Sequence, residues 1–188
     1  MSNFKAAERS ETTLFKRLHL LGIRNRLERD WGIRAEEEED MQGCLSFQTR
    51  HDMRGGEIFF VPDRRYYSRI FAKVKPGEVV LDAGAGDLRF ALALATKVKK
   101  VYAVEINPKV LGAALTVIGY DLPSNVIPIC ADAFEWPVPA DVTIVTCIMI
   151  HRTHDFPPDW LLRRIVYADF HKGVCIQKPL RRSSHGTS

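Results

Sequence analysis

Short apolar runs alternate with segments of helical spacing through the last two thirds of the chain. The runs at 79–83, 101–105, 126–131, 142–148 and 174–177 are built mainly from Val, Ile, Leu and Ala, and they predict buried strands. Between them, 88–98, 108–120 and 158–169 repeat apolar residues at helical spacing and predict helices. A further helix is expected over 63–74 (DRRYYSRIFAKV), with Asp63 as an acidic cap and Tyr66, Tyr67, Ile70, Phe71 and Val74 on its apolar side. Alternation of this kind implies an α/β fold: an open parallel sheet of about five strands, covered on both faces. Ligands of such sheets lie at the carboxyl ends of the strands.

The pattern changes near residue 57. Residues 3–30 carry Phe4, Leu14, Leu18, Leu21 and Leu27 near helical spacing with arginines and lysines between them, which predicts one or two basic amphipathic helices. Five consecutive acids at 36–40 read as a solvated linker or helix surface. Gly55-Gly56 marks a turn, and the apolar segment 57–61 (EIFFV) is stopped by Pro62. The expected organisation is a helical and irregular N-terminal extension (1–56), a cofactor-binding domain (57–178) and a basic flexible tail (179–188).

Composition narrows the classes only slightly. The chain has 188 residues, 46% hydrophobic, which suffices for one domain and a short extension. A net charge of +4 permits a nucleic-acid partner without arguing for one. The four cysteines, Cys44, Cys130, Cys147 and Cys175, show no metal-like or paired spacing, and three lie in apolar runs. Buried free thiols in a reducing compartment are expected. No run is long enough for a membrane span, and the N-terminus has no apolar signal core, so a cytoplasmic protein is expected.

The candidate chemistry gathers at the strand ends. The segment VVLDAGAGDLRF (79–90) is a strand, a glycine turn at Gly84 and Gly86, and the start of a helix, an arrangement that brings a ligand against bare backbone. The first strand delivers Asp82, with Asp87 beyond the turn; the second delivers Glu105 at a spacing suited to ribose hydroxyls. The third delivers Asp132, with Ala133 and Phe134 as an apolar and aromatic surface for an adenine, and the fourth delivers Thr146, Cys147 and then His151. A nicotinamide dinucleotide is disfavoured because Arg89 stands where GxGxxG needs glycine, and because Asp82 and Asp87 would repel a pyrophosphate. S-adenosylmethionine, which carries a sulfonium and an ammonium, fits those acids better.

These residues resemble the class I S-adenosylmethionine-dependent methyltransferases from about 59 to 148, with weaker agreement to 177. VLDAGAGD is similar to the family's first motif, YAVEIN to the second, CADAFEW to the third and DVTIVTCI to the fourth. The resemblance implies a Rossmann-like doubly wound sheet and S-adenosyl-L-methionine as cofactor. It places Asp82, Ala83, Gly84, Ala85 and Gly86 at the methionine portion, Glu105 and Ile106 at the ribose, Asp132 and Ala133 at the adenine, and Cys147 near the transferring methyl. FFVP followed by a helix and KPGEVVLDAGAGD also resembles small prokaryotic members related to protein-lysine methyltransferases. Two departures stand out. Leu88 occupies a position where many members have a third glycine, and only 11 residues follow Gln177, so the usual C-terminal strand hairpin is expected to be lacking.

The expected reaction is in-line methyl transfer, in which the protein mainly positions the acceptor. A protein amine is favoured as acceptor, then RNA, then a small molecule, because Phe59, Phe60, Tyr66 and Tyr67 could line a lysine channel; core packing explains them as well. The N/D-P-P-Y/F element that often accompanies adenine or glutamine amide methylation is replaced by TCIMIHR. Arg163-Arg164 and Arg181-Arg182 could meet RNA phosphates, or serve solubility alone. His151 is the one candidate base, though a surface or partly packed histidine is the plainer account. No metal is expected, since His151 and His154 alone make a poor site. Covalent attack by Cys147 is less expected than packing near the cofactor. The alternative function is a noncatalytic cofactor-binding module acting through a partner subunit or as a homodimer.

Overall fold

The computed structural model describes residues 34–37, 58–61, 64–148, 155–169 and 172–180. The basic helices expected over 3–30, the pair Gly55-Gly56, the residues His151, Arg152 and His154, and Arg181-Arg182 lie outside the described residues.

Strands β1 (Arg34–Glu37) and β2 (Ile58–Val61) pair in parallel, with Arg34 opposite Ile58. The first part of the acidic run is therefore strand rather than linker or helix surface. Backbone hydrogen bonding to an apolar β-branched and aromatic strand outweighs the weak strand propensity of glutamate there. Helix α1 (Arg64–Lys73) follows, then β3 (Val79–Ala83), α2 (Arg89–Ala95), β4 (Lys100–Glu105), α3 (Pro108–Ile118), β5 (Val126–Cys130), β6 (Ile144–Cys147), the one-turn α4 (Pro158–Leu161), β7 (Arg164–Asp169) and β8 (Gly173–Gln177). Local chemistry sets several of these boundaries. Gly77, at φ 77°, turns the chain into β3. Asn107 caps α3 by accepting from the Lys109 N–H at 3.0 Å, and Pro108 supplies a first turn already shaped for helix.

The main sheet has the order β5-β4-β3-β6-β7-β8, parallel except for the antiparallel edge strand β8. Strand order reverses beside β3, so a crevice opens at the carboxyl ends of β3 and β6. The sheet has six strands rather than five because 164–169 is a strand and not the end of a helix. Ile165, Val166 and Ala168 are buried in the sheet between β6 and β8, where β-branched residues pack well. Apolar spacing in so short a run fits either element. The chain then closes an antiparallel β7–β8 pair at the edge, so a terminal strand pair is present where none was expected.

The two faces of the sheet are covered differently. On one, Val80, Val101, Ala103, Ile144 and Val166 pack with α1, α2 and α3, including Tyr67, Ile70, Phe90 and Leu111. On the other, Leu81, Ala83, Val145, Cys147 and Ile165 pack with Ala133 and Trp160, and Phe134, Trp136 and Phe156 close over them. Helices were expected on both faces. Pro137 and Pro139 interrupt the segment after β5, and aromatic side chains from irregular backbone fill the space a helix would occupy. Trp160 is fully buried, with ring centroids 4.9 Å from Phe134 and 5.9 Å from Phe156.

Candidate cofactor and methyl-transfer site

The site is built on the turn between β3 and α2. Gly84 and Gly86 adopt φ of 75° and 57°, in the left-handed region open to glycine. Leu88 shares that region, at φ 66°, and is fully buried. The backbone at this position is therefore the one a glycine would prefer, and Leu88 holds it through packing at a cost of about 1–2 kcal/mol. The N–H groups of Gly84 and Ala85 both donate to the Val104 carbonyl at 2.9 Å, which ties the turn to the end of β4. Gly84 itself is exposed, while Ala83 and Ala85 are buried behind it.

Asp82 and Glu105 come together as the sequence implied. Asp82 is 2% exposed; its Oδ1 accepts from the Thr146 hydroxyl at 2.9 Å, and its Oδ2 has no hydrogen-bond partner. Burial, opposed by the Thr146 hydrogen bond and reinforced by the charge of Glu105, pushes the Asp82 carboxyl up to about 7. Glu105 is nearly as buried and uses both oxygens: Oε2 accepts from the Gly86 N–H at 2.7 Å and Oε1 from the Asn107 N–H at 2.8 Å. Burial raises its pKa also, against the lowering by those backbone donors. A carboxylate holds about four acceptor positions, so Glu105 keeps lone pairs for two further donors.

The remaining expected residues divide by environment. Ile106, the residue after Glu105 at the end of β4, is 51% exposed and offers an apolar surface there. Asp132 is half-buried and its Oδ1 accepts from the Phe134 N–H at 2.9 Å, which shapes the loop that carries buried Ala133. Cys147 lies opposite Ala83 and is fully buried; burial and the nearby Asp82 charge push its thiol well up. Full burial and a thiol held neutral both disfavour covalent attack by Cys147. Cys130, expected to be buried, is an exposed free thiol at the end of β5.

Several sequence expectations change here. Asp87, read with Asp82 as an acid facing the cofactor, is 1% exposed and ion-paired with Arg89, whose Nε lies 2.8 Å from each carboxylate oxygen. Its charge is spent within the turn. Tyr67 belongs to the core and packs on Phe90 at 5.4 Å, so it lines no lysine channel. Arg164 donates to Glu78 at 2.6 and 2.8 Å and to the Lys73 carbonyl at 2.8 Å, while Arg163 donates to the carbonyls of Val142, Asp159 and Pro139. Both arginines fasten the end of the sheet opposite the site rather than offer themselves to phosphates. Thr146, which the sequence placed at the end of the fourth strand, lies opposite Asp82 in the sheet register, and that register makes it the partner of the Asp82 carboxyl. Among the described residues no cluster of three or more His, Cys, Asp and Glu could hold a metal ion, and no helix is long and apolar enough to cross a membrane.

The glycine turn, the orphaned carboxylate oxygen of Asp82 and the buried carboxylate of Glu105 fit S-adenosylmethionine. Comparison with known proteins agrees. The model of the TRM5/TYW2 methyltransferase domain matches residues 56–182. The tRNA (guanine(37)-N(1))-methyltransferase Trm5b of Pyrococcus abyssi is 38% identical over 77 residues, covering 41% of this chain and 23% of that protein. Among solved structures, Trm5b from Pyrococcus abyssi is 35% identical, with a TM-score of 0.38 over 45% of this chain and 24% of that one. Methanocaldococcus jannaschii Trm5 in complex with adenosine is 29% identical, with a TM-score of 0.46 over 56% of this chain and 35% of that one. The likeness thus spans less than half the length of each relative. The family match covers most of the chain, and the chain belongs to the TRM5/TYW2 methyltransferase domain family, whose members are S-adenosylmethionine-dependent methyltransferases.

Proposed function

We propose that this chain transfers a methyl group from S-adenosylmethionine to a guanine of tRNA, at N1. The observation that carries this reading is the family match laid over the Asp82, Gly86 and Glu105 site. RNA takes first place over a protein amine, because the tRNA-methylating relative supports it and Tyr67, the best described member of the supposed lysine channel, is core.

When bound, S-adenosylmethionine supplies an activated methyl on sulfur. Asp82 would receive the ammonium, Glu105, with Ile106 beside it, the ribose, and Asp132 with Ala133 the adenine. The glycine turn would admit the methionine portion against backbone, and the buried wall at Cys147 would exclude water beside the methyl. Rate then follows from holding N1 in line with the carbon–sulfur bond. Methylation at N1 requires loss of the N1 proton, and His151, just beyond β6, is the candidate that accepts it.

Methyl-labelled S-adenosylmethionine incubated with the chain and unmodified tRNA transcripts tests this reading. Label is expected in a transcript with guanine at position 37 and absent when adenine replaces it. Label in protein and not in tRNA would restore the protein-amine acceptor. Tight cofactor binding with no transfer to either would favour a noncatalytic module.

A further inference from the structure

Buried Asp82 has one oxygen satisfied and one without a donor. In the turn above it the N–H groups of Gly84 and Ala85 go to the Val104 carbonyl and that of Gly86 goes to Glu105, so none of these three serves Asp82. Thr146, fully buried on β6 and in register with Asp82, has a second acceptor in reach: its hydroxyl lies 2.9 Å from Asp82 Oδ1 and 3.5 Å from the Leu81 carbonyl oxygen. A hydroxyl has one proton to donate and lone pairs to accept, so two arrangements are open to it.

We propose that Thr146 is a positioning residue that lets Asp82 alternate between a neutral form in the free protein and an ionised form that receives the cofactor's ammonium, so that cofactor binding expels a proton. This inference rests on the cofactor reading above. In the neutral form the carboxyl O–H of Asp82 donates to Thr146 Oγ1, and the Thr146 hydroxyl turns to the Leu81 carbonyl. When the ammonium arrives, directly or through one water at Oδ2, the carboxyl proton leaves to solvent, and the Thr146 hydroxyl turns back to donate to Oδ1. The charge on the cofactor then faces a carboxylate already held on its other side. The titratable groups facing Asp82 are Glu105 from β4 and Cys147 from β6, and Asp87, beyond the turn and paired with Arg89, raises Glu105 in turn. The Cys147 thiol stays protonated throughout. The raised carboxyl of Asp82 in the absence of ligand agrees with the neutral form.

Glu105 is the competing source of protons, and a pair of ligands separates it from Asp82. S-adenosylhomocysteine carries both the ribose and the ammonium, whereas 5′-methylthioadenosine carries the ribose alone. Titration calorimetry in buffers of different ionisation enthalpy counts the protons released by each. S-adenosylhomocysteine is expected to release more than methylthioadenosine near neutral pH, and its affinity should fall about tenfold per pH unit on the acid side, with a shallower fall for methylthioadenosine. Asp82→Asn should abolish the difference between the ligands. Thr146→Val should move the midpoint of proton release upward and weaken S-adenosylhomocysteine several-fold while sparing methylthioadenosine, and Thr146→Ser should restore the wild-type profile. Equal proton release by the two ligands, or a Thr146→Val profile matching wild type, would overturn the proposal. Binding of neither nucleoside would overturn the cofactor reading and this inference with it.

Discussion

Asp82 and Asp87 stand on either side of one glycine turn, both almost wholly buried, and the protein treats them oppositely. Asp87 is closed off by the guanidinium of Arg89, with its two oxygens engaged. Asp82 has a neutral hydroxyl at one oxygen and nothing at the other. A buried carboxylate that is fully paired holds backbone in place, whereas one left half-paired is expensive in the free protein and valuable only once a ligand completes it. The difference between a structural acid and a binding acid is thus a difference in partners, since residue type and burial are shared.

The largest effect that would break this contrast is on stability. Asp87→Ala removes the buried carboxylate that engages the Arg89 guanidinium in the turn and should lower unfolding free energy by about 3–5 kcal/mol, read in urea. An unchanged midpoint would place Asp87 on the ligand's side after all.

Next in size is a pH effect peculiar to Asp82. Its folded carboxyl is raised to about 7 from an ordinary 3.8, so the folded state holds a proton that the unfolded chain has released between those values. The Asp82 contribution is therefore present below about pH 4 and is lost as pH rises through 7, by up to a few kcal/mol. Ligand-free wild type should accordingly lose stability relative to Asp82→Asn between about pH 4 and 7, on the order of that amount. Parallel curves for the two proteins would mean that Asp82 is ionised in the free protein.

Leu88→Gly sharpens the comparison from within the turn. Glycine relieves the left-handed strain, but loss of a fully buried leucine costs more, so a net loss of about 2 kcal/mol is expected in thermal unfolding. A more stable variant would show that the turn, rather than packing beneath α2, dictates that residue. Smallest in free energy is the binding effect: Asp82→Ala should weaken S-adenosylmethionine by about 1–3 kcal/mol in calorimetry. Asp87→Asn, where it folds, should change affinity far less.

Much of this was legible in the chain because it depends on local chemistry. The Val79–Ala83 strand, the glycines at positive φ and the Pro108 start of α3 are set by residues close in sequence. So is the order of acids along the crevice, since every parallel strand delivers its last residue to the same end of the sheet. The reading of 158–169 as helix held only for 158–161, and its second part failed for a corresponding reason. LLRRIVYADF has apolar residues compatible with either period, and only the neighbouring β6 and β8 make 164–169 a strand. The arginines 163 and 164 could not be assigned from sequence either, because the partners of Arg164, Glu78 and Lys73, lie far away along the chain.

The sequence by itself determined the α/β alternation, the glycine turn and the identity of the acids at the strand ends. Tertiary structure alone decided which acid is free to bind. Asp87 meets its arginine two residues away only because the turn folds the guanidinium back, and Asp82 meets Thr146, 64 residues on, only because β3 and β6 lie in register. Charge and size are written into a side chain, but the partners that satisfy a buried carboxylate are set by what packs beside it.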